Sequence, residues 1–175
     1  MALKFISSTC MVKINQQERK MTIQKHFTAS TYIVHEDKVL LHLHKKYNKM
    51  LPLGGHIEAN ELPEEACIRE AQEESGLIIK LYNADLDGHL NDSFKASHEK
   101  LLLKPMHMIL CEVSPEHYHI DLNYYATTDS YHLNPLEGES NLLYWYTKEE
   151  LSKVQNAPPD VIIMATEALE LLGKR

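Results

Sequence analysis

The clearest alternation of apolar and polar positions lies in two short runs in the first third of the chain. Thr28 to His35 and Lys38 to Lys45 are rich in β-branched and apolar residues, and the polar pair Glu36-Asp37 separates them. This pattern predicts two antiparallel strands joined in a hairpin. In the second run leucines alternate with His42 and His44, so we expect one apolar face and one face that carries imidazoles.

The strongest helix signal begins at Pro63 and ends at Ser75. Proline suits the first helical position, Glu64 and Glu65 lie in the first turn, and Gly76 is a C-terminal stop signal. The sequence therefore predicts a helix here, directly after a loop that contains paired glycines.

The rest of the pattern predicts a sheet followed by two helices. We expect strands over Leu77 to Leu90, Leu103 to Val113, His117 to Thr127 and Leu142 to Tyr146. Thr147 and Glu150 have the spacing of a capping box, which predicts a short helix after the last strand. A final amphipathic helix is predicted from Pro158-Pro159 to near Gly173.

The pattern indicates a single domain preceded by a short extension. No repeat or shift in composition divides residues 21–175, so we expect one domain there. Residues 1–20 have no clear apolar period, and we expect a disordered extension. Codons for Gln16-Gln17-Glu18-Arg19-Lys20 can form a purine-rich stretch that resembles a ribosome-binding site, which suggests the hypothesis that the native chain starts at Met21.

Composition and charge narrow the class of protein. A chain of 175 residues, 43% hydrophobic and 25% charged, is typical of one globular domain. Without an apolar run of about 18 residues or a signal-peptide core, we expect a cytoplasmic protein with no membrane partner. A formal charge of −7 argues against bulk binding of nucleic acid. Cys10, Cys67 and Cys111 form no CxxC pair, so we expect free thiols.

Acidic residues are concentrated around the predicted helix, with Arg69 as the one Lys or Arg among them. The seven carboxylates are those of Glu58, Glu61, Glu64, Glu65, Glu70, Glu73 and Glu74. At about 100° per residue, the last three share one stripe of the helix. The adjoining arc carries Cys67, Ile68 and Ala71, which we expect to pack on the sheet.

Two interpretations of the acidic stripe remain open from its charge alone. A solvated face is the commoner fate of glutamates on a helix, but such faces usually alternate in sign. Glu70 and Glu74 are four residues apart and repel each other. A hard divalent cation removes that repulsion, and Mg²⁺ or Mn²⁺ prefers oxygen ligands of this kind.

The spacing of these residues resembles the Nudix box. Gly55 is followed after five residues by Glu61, and after seven more by Arg69 and the run Glu70-Ala71-Gln72-Glu73-Glu74-Ser75-Gly76-Leu77. All seven fixed positions of the box match, and the resemblance extends over about Thr28 to Leu172.

This resemblance implies a fold and an activity. Nudix domains have an α/β/α sandwich with a central mixed sheet, and most hydrolyse a diphosphate bond in a nucleoside diphosphate linked to another moiety. The implied substrate is a small phosphorylated molecule: a nucleoside triphosphate, including oxidised ones, or a nucleotide sugar or cofactor. A non-catalytic Nudix-like sensor is the alternative, although sensors usually lose box carboxylates. A diphosphate isomerase is a third alternative, but its chemistry needs a cysteine and a glutamate on opposite sides of the substrate. Cys67 lies within the box helix and Cys10 precedes the domain, so only Cys111 is left for this role. The resemblance also leaves a homodimer open.

The resemblance also implies roles for the residues of the box. Glu70 and Glu74 are the implied metal ligands, with Glu73 as a further ligand or the general base, and Gly54 as a carbonyl ligand. Glu70, Glu73 and Glu74 are thus the implied catalytic residues. Arg69 and Glu61 are implied to form a structural ion pair. Gly55 and Gly76 are implied to occupy positions where the backbone conformation favours glycine.

Family members often draw one more acidic ligand from a distant loop. Glu139, six residues before Trp145, is our candidate, with Glu137 behind it. Spacing does not decide between these two acids, and the alternative is that both are solvated loop residues.

Candidate substrate-binding residues lie outside the box. His117, His119, Asp121 and Asn123 share one face of a predicted strand, which is either a pocket wall or an exposed face. Lys45 and Tyr47, in the loop after the hairpin, are candidates for contacts with phosphate and base. The eleven histidines include no HExxH helix or three-histidine cluster of fixed spacing, so the sequence does not predict a zinc site.

Overall fold

Eight strands form one mixed sheet in the computed structural model, which describes residues 23–83 and 99–174. The strands are β1 (Gln24–His35), β2 (Lys38–His44), β3 (Lys49–Leu51), β4 (Leu53–His56), β5 (Lys80–Leu81), β6 (His107–Ser114), β7 (His117–Thr127) and β8 (Leu143–Thr147). The helices are α1 (Pro63–Ser75), α2 (Lys148–Leu151) and α3 (Pro159–Leu172). No helix in these two described stretches is long and apolar enough to cross a membrane.

Strand β1 lies at the centre of the sheet. One edge of β1 pairs in parallel with β7, and the other pairs antiparallel with β4 and then with β2. Strand β3 pairs with the end of β2 that extends beyond β1, so the β3–β4 segment is inserted between the two hairpin strands. This insertion places Gly54 and Gly55 inside the sheet, directly beside β1.

Each face of the sheet is covered by one long helix. Helix α1 packs through small side chains, with Ala66, Cys67 and Ala71 completely buried. On the opposite face, α3 packs against Tyr32 and Tyr125. The arrangement is the α/β/α sandwich with a central mixed sheet that the sequence predicts.

The predicted elements with strong local signals are confirmed. The hairpin and both long helices form, and the Thr147 hydroxyl accepts a hydrogen bond from the Glu150 amide at the start of α2. Strand β1, however, begins at Gln24 rather than Thr28, because its first four residues pair with β7.

Three expectations for the middle of the chain need correction. Only Lys80–Leu81 of the strand predicted over 77–90 is paired in the described part, and residues 84–98 lie outside it. The next strand begins at His107 instead of Leu103. Ile68 is 46% exposed, so the predicted packing of this side chain on the sheet is wrong. The predicted extension over residues 1–20 lies outside the described residues.

Replacement of Ala71 by leucine tests the contact between α1 and the sheet. Ala71 is fully buried against Ile33, Leu40 and Leu53, so a larger side chain overpacks the contact. We expect Ala71→Leu to lower the free energy of unfolding by about 1–3 kcal/mol. Ile68→Ala on the exposed side of the helix is the control, with an expected change within about 0.5 kcal/mol. Equal effects in urea unfolding would contradict this account of the interface.

Candidate active site

Two glycines bring the backbone of β4 into contact with its neighbours. Gly54 has a φ of +152°, and a Cβ at this position would lie 2.3 Å from the Ala29 carbonyl oxygen. A Cβ at Gly55 would lie 2.3 Å from Glu70 Oε1. Gly54 therefore needs glycine, whereas a Cβ at Gly55 would displace the Glu70 carboxylate from its place against the backbone of β4.

Glu70, Glu73 and Glu74 lie along the side of α1 that faces this backbone. Glu74 is buried, and its Oε2 accepts a hydrogen bond of 2.8 Å from the Gly54 amide. The exposed fraction of the side chain is 10% for Glu74, 15% for Glu70 and 40% for Glu73. Exposure therefore increases along the acidic stripe from Glu74 to Glu73. The interpretation of the stripe as a fully solvated face is wrong for Glu70 and Glu74.

Arg69 connects the carboxylates to the loop before α1. Its guanidinium donates two hydrogen bonds to Glu61, of 2.7 and 2.9 Å, in the bidentate geometry of a strong ion pair. Its remaining donors reach Glu70 at 2.7 Å, Glu73 at 3.1 Å and the His56 carbonyl at 3.1 Å. All five donors of the guanidinium are used. The hydrogen-bonded ion pair with Arg69 lowers the pKa of Glu61.

Burial, together with the charges of neighbouring acids, raises the pKa of two carboxyl groups in the site. Burial raises the pKa of Glu74 to about 8, and the charges of Glu70, Glu139 and Glu73 add to the effect. The Gly54 amide opposes this shift. Burial also raises the pKa of Glu70. Because these are oxygen donors with an unfavourable excess of charge, the residues fit a hard divalent cation such as Mg²⁺ or Mn²⁺.

The sequence did not identify His42 as part of this site. His42 is buried on β2, with Nδ1 3.5 Å from Glu74 Oε1. Burial, followed by repulsion from His44, lowers the pKa of His42 to about 4. Burial disfavours the charged forms of both His42 and Glu74, so their contact is not a strong ion pair. The alternation of histidines along β2 is the signal that pointed towards this position.

The loop that carries Glu139 is attached to the end of α1. The Asn134 amide donates to the Ser75 carbonyl and the Leu136 amide to the Glu73 carbonyl, each at 2.8 Å. In this position the charge of Glu139 raises the pKa of both Glu70 and Glu74. The loop thus brings a fourth acid near the stripe, although Glu139 is remote from α1 in sequence.

The two candidate residues in the loop after β2 contact protein groups. Lys45 Nζ donates to the carbonyl oxygens of Gly138 and Glu139, at 2.8 and 2.9 Å, so it helps to hold the acidic loop. Tyr47 lies against the ring of His44, with centroids 4.6 Å apart.

The polar face of β7 is largely buried. The hypothesis that it is an exposed strand face is therefore wrong for Asp121 and Asn123. Asp121 accepts hydrogen bonds from Thr28 at 2.8 Å and from Ser30 at 3.0 Å. Asn123 is completely buried, and its Oδ1 has no hydrogen-bond partner in the described chain. Asp121 and Asn123 share the sheet face of Tyr125, which is opposite to the face on which α1 carries Glu70 and Glu74.

Comparison with a family model decides the family. The model described as the NUDIX domain matches residues 24–170, which include every strand, α1 and most of α3. The chain belongs to the Nudix family. No curated protein matches the chain.

Solved structures of Nudix proteins agree with this assignment. A NUDIX-family hydrolase from Clostridium perfringens is 59% identical, with a TM-score of 0.80, over 86% of this chain and 99% of that one. A NUDIX hydrolase from Nitrosomonas europaea is 16% identical, with a TM-score of 0.61 over 86% and 92% of the chains. A MutT NUDIX hydrolase from Burkholderia pseudomallei is 20% identical, with a TM-score of 0.58 over 85% and 98%. The last two show the shared fold alone.

Glu74→Gln should stabilise the metal-free Nudix domain at alkaline pH. The folded pKa of Glu74 lies near 8, above its ordinary value of 4.5, so the folded state retains a proton that the unfolded chain releases. The stability from this proton is fully present below pH 4.5 and is lost as the pH rises through 8. Glutamine does not ionise and still accepts from the Gly54 amide. At pH 8.5 we expect the variant to gain about 1 kcal/mol, or roughly 2–4 °C in Tm.

Thermal melts in a chelating buffer at pH 5 and pH 8.5 measure this difference. Glu112→Gln, at an exposed position of β6, is the control and should melt like the wild type at both values. Parallel pH dependences for the wild type and Glu74→Gln would show that burial of this carboxylate does not destabilise the fold.

Proposed function

We propose that this Nudix hydrolase cleaves a diphosphate bond in a nucleoside diphosphate derivative, with Mg²⁺ or Mn²⁺ as its cofactor. The observation that carries the proposal is the convergence of Glu70, Glu73 and Glu74 beside the backbone of Gly54, with Arg69 as the cation that contacts two of them. The substrate class comprises nucleoside triphosphates, including oxidised ones, and nucleotide sugars or cofactors.

Charge is the main reason for a bridging cation. A diphosphate carries at least two negative charges, and carboxylates repel it unless a cation lies between them. Glu70, Glu74 and the Gly54 carbonyl would hold the cation, with Glu73 and Glu139 as further acidic groups. When bound, the cation supplies a polarised water and neutralises charge on the phosphates.

The protein groups around the cation have distinct tasks. The Gly54 amide holds Glu74 Oε2 in place, and Arg69 holds Glu70. Arg69 also contacts Glu73, the most accessible of the three side chains, which is the group best placed to take a proton from water. We therefore assign Glu73 as the general base and Arg69 as a positioning residue.

Lys45 and Tyr47, in the loop after β2, are the candidates for contact with the phosphates and the base, because Lys45 contacts the loop that carries Glu139. Asp121 and Asn123 lie on the face of the sheet opposite to the carboxylates, and Asn123 is completely buried. We therefore expect no direct contact between these two side chains and the substrate. We expect a small phosphorylated molecule in the cytoplasm as the substrate, and no role for bulk nucleic acid or a membrane.

Hydrolysis of a substrate panel tests the proposal. Product release from nucleoside triphosphates, oxidised nucleotides, nucleotide sugars and dinucleoside polyphosphates is measured without metal, with Mg²⁺ and with Mn²⁺. We expect metal-dependent cleavage of at least one class. Glu74→Gln should lower kcat/KM by about 100-fold or more. Glu65→Gln, the same substitution on an exposed part of α1, should retain activity within about twofold.

The sensor hypothesis predicts a different result for the same panel. A ligand that binds the wild type and Glu74→Gln equally, with no product release at either metal, would overturn the proposed activity. Retention of all three box carboxylates favours the enzyme over the sensor.

A further inference from the structure

Four histidines from three strands meet on the face of the sheet that α3 partly covers. His26 on β1 is the register partner of His119 on β7, and His117 lies two residues earlier on the same strand. His56 extends the group from β4 on the other side of β1. Strand alternation places all four side chains on one face of the sheet. Tyr32 and Tyr125 lie on the same face at the other end of these strands, where they pack against α3.

The distances within this histidine cluster are short. Ring centroids are 4.8 Å apart for His26 and His117, 4.9 Å for His117 and His119, and 4.8 Å for His56 and His119. One nitrogen from each of His26, His56 and His117 lies within 4.8 Å of the other two. A tetrahedral zinc ion, at about 2.0–2.1 Å from each ligand, holds such nitrogens about 3.4 Å apart. The His26 and His56 side chains are exposed, so their rings are free to rotate towards this shorter distance.

Two nitrogens in the cluster are buried and lack partners. The Nε2 atoms of His117 and His119 are inaccessible to solvent and make no hydrogen bond within the described residues. A buried polar atom without a partner costs free energy, and such atoms in native structures often mark an ion that belongs at the site.

We propose that His26, His56 and His117, with His119 as a fourth donor, bind a borderline transition-metal ion, of which Zn²⁺ is the representative. Imidazole nitrogens favour Zn²⁺, Co²⁺, Ni²⁺ or Cu²⁺, whereas the carboxylates of the Nudix box favour hard Mg²⁺ or Mn²⁺. The ion links β1, β4 and β7 at the end of the sheet. This site is separate from the proposed cation site at Glu70 and Glu74, and binding there does not depend on the proposed hydrolase activity.

Zinc titration of the full chain tests the histidine site. The protein is freed of any polyhistidine tag and stripped with a chelator, and Zn²⁺ binding is followed by calorimetry. Glu74→Gln serves as the background, because it weakens the carboxylate site and leaves the histidines unchanged. We expect one tight Zn²⁺ site in this background. His26→Gln combined with His117→Gln should weaken binding by about 100-fold, while His132→Gln, at an exposed loop histidine, should not.

Cobalt gives a spectroscopic readout of the ligands. Co²⁺ bound to imidazoles in a four-coordinate site absorbs strongly in the visible range, whereas six oxygen ligands give only weak absorption. We expect the strong band in the wild type and in Glu74→Gln, and its loss in the His26→Gln and His117→Gln double variant. A thermal melt of the double variant without metal verifies folding. Tight binding that survives the double substitution, or the absence of tight binding from the Glu74→Gln background, would overturn the proposal.

Discussion

Close packing of α1 against the Gly54-Gly55 segment is the constraint on which the candidate active site depends. Glu70 occupies the space that a Cβ of Gly55 would fill, and Glu74 accepts the amide hydrogen of Gly54. The small buried residues of α1 let the helix approach this closely. Burial of the carboxylates follows from the same contact, and their altered pKa values follow from burial. The chemistry of the site is thus a consequence of helix packing.

Arg69 makes this arrangement tolerable in the absence of a cation. Its guanidinium spreads one positive charge over Glu61, Glu70 and Glu73, while its contact with the His56 carbonyl attaches α1 to β4. Lysine has three donors on one nitrogen and does not reproduce this planar geometry. Glu74 lies outside this set of contacts, and its pKa is raised to about 8. The arginine therefore orders most of the acidic stripe but leaves the most buried acid uncompensated.

The sequence predicted the parts of the fold that local signals determine. A proline at the first position, acidic residues in the first turn and a glycine after the last turn define α1. The polar pair Glu36-Asp37 defines the turn of the hairpin. Strand ends were less predictable, because β1 extends to Gln24 only by pairing with β7. The prediction that Ile68 packs on the sheet is wrong, because helix periodicity alone does not specify which side of α1 meets the sheet. The box residues could be assigned by spacing, but His42 and the histidine cluster depend on strand register, which single-sequence patterns do not specify.

Strand β4 also explains how two kinds of metal donor can lie close together without mixing. Gly55 faces Glu70 and α1, whereas the His56 side chain, one residue later, points to the opposite face of the sheet. A register slip of one residue would exchange these faces and bring an imidazole against the buried carboxylates. The close contact between Gly54 and Ala29 opposes such a slip, because only glycine fits there. The paired glycines thus admit the carboxylates on one face and keep the imidazoles on the other.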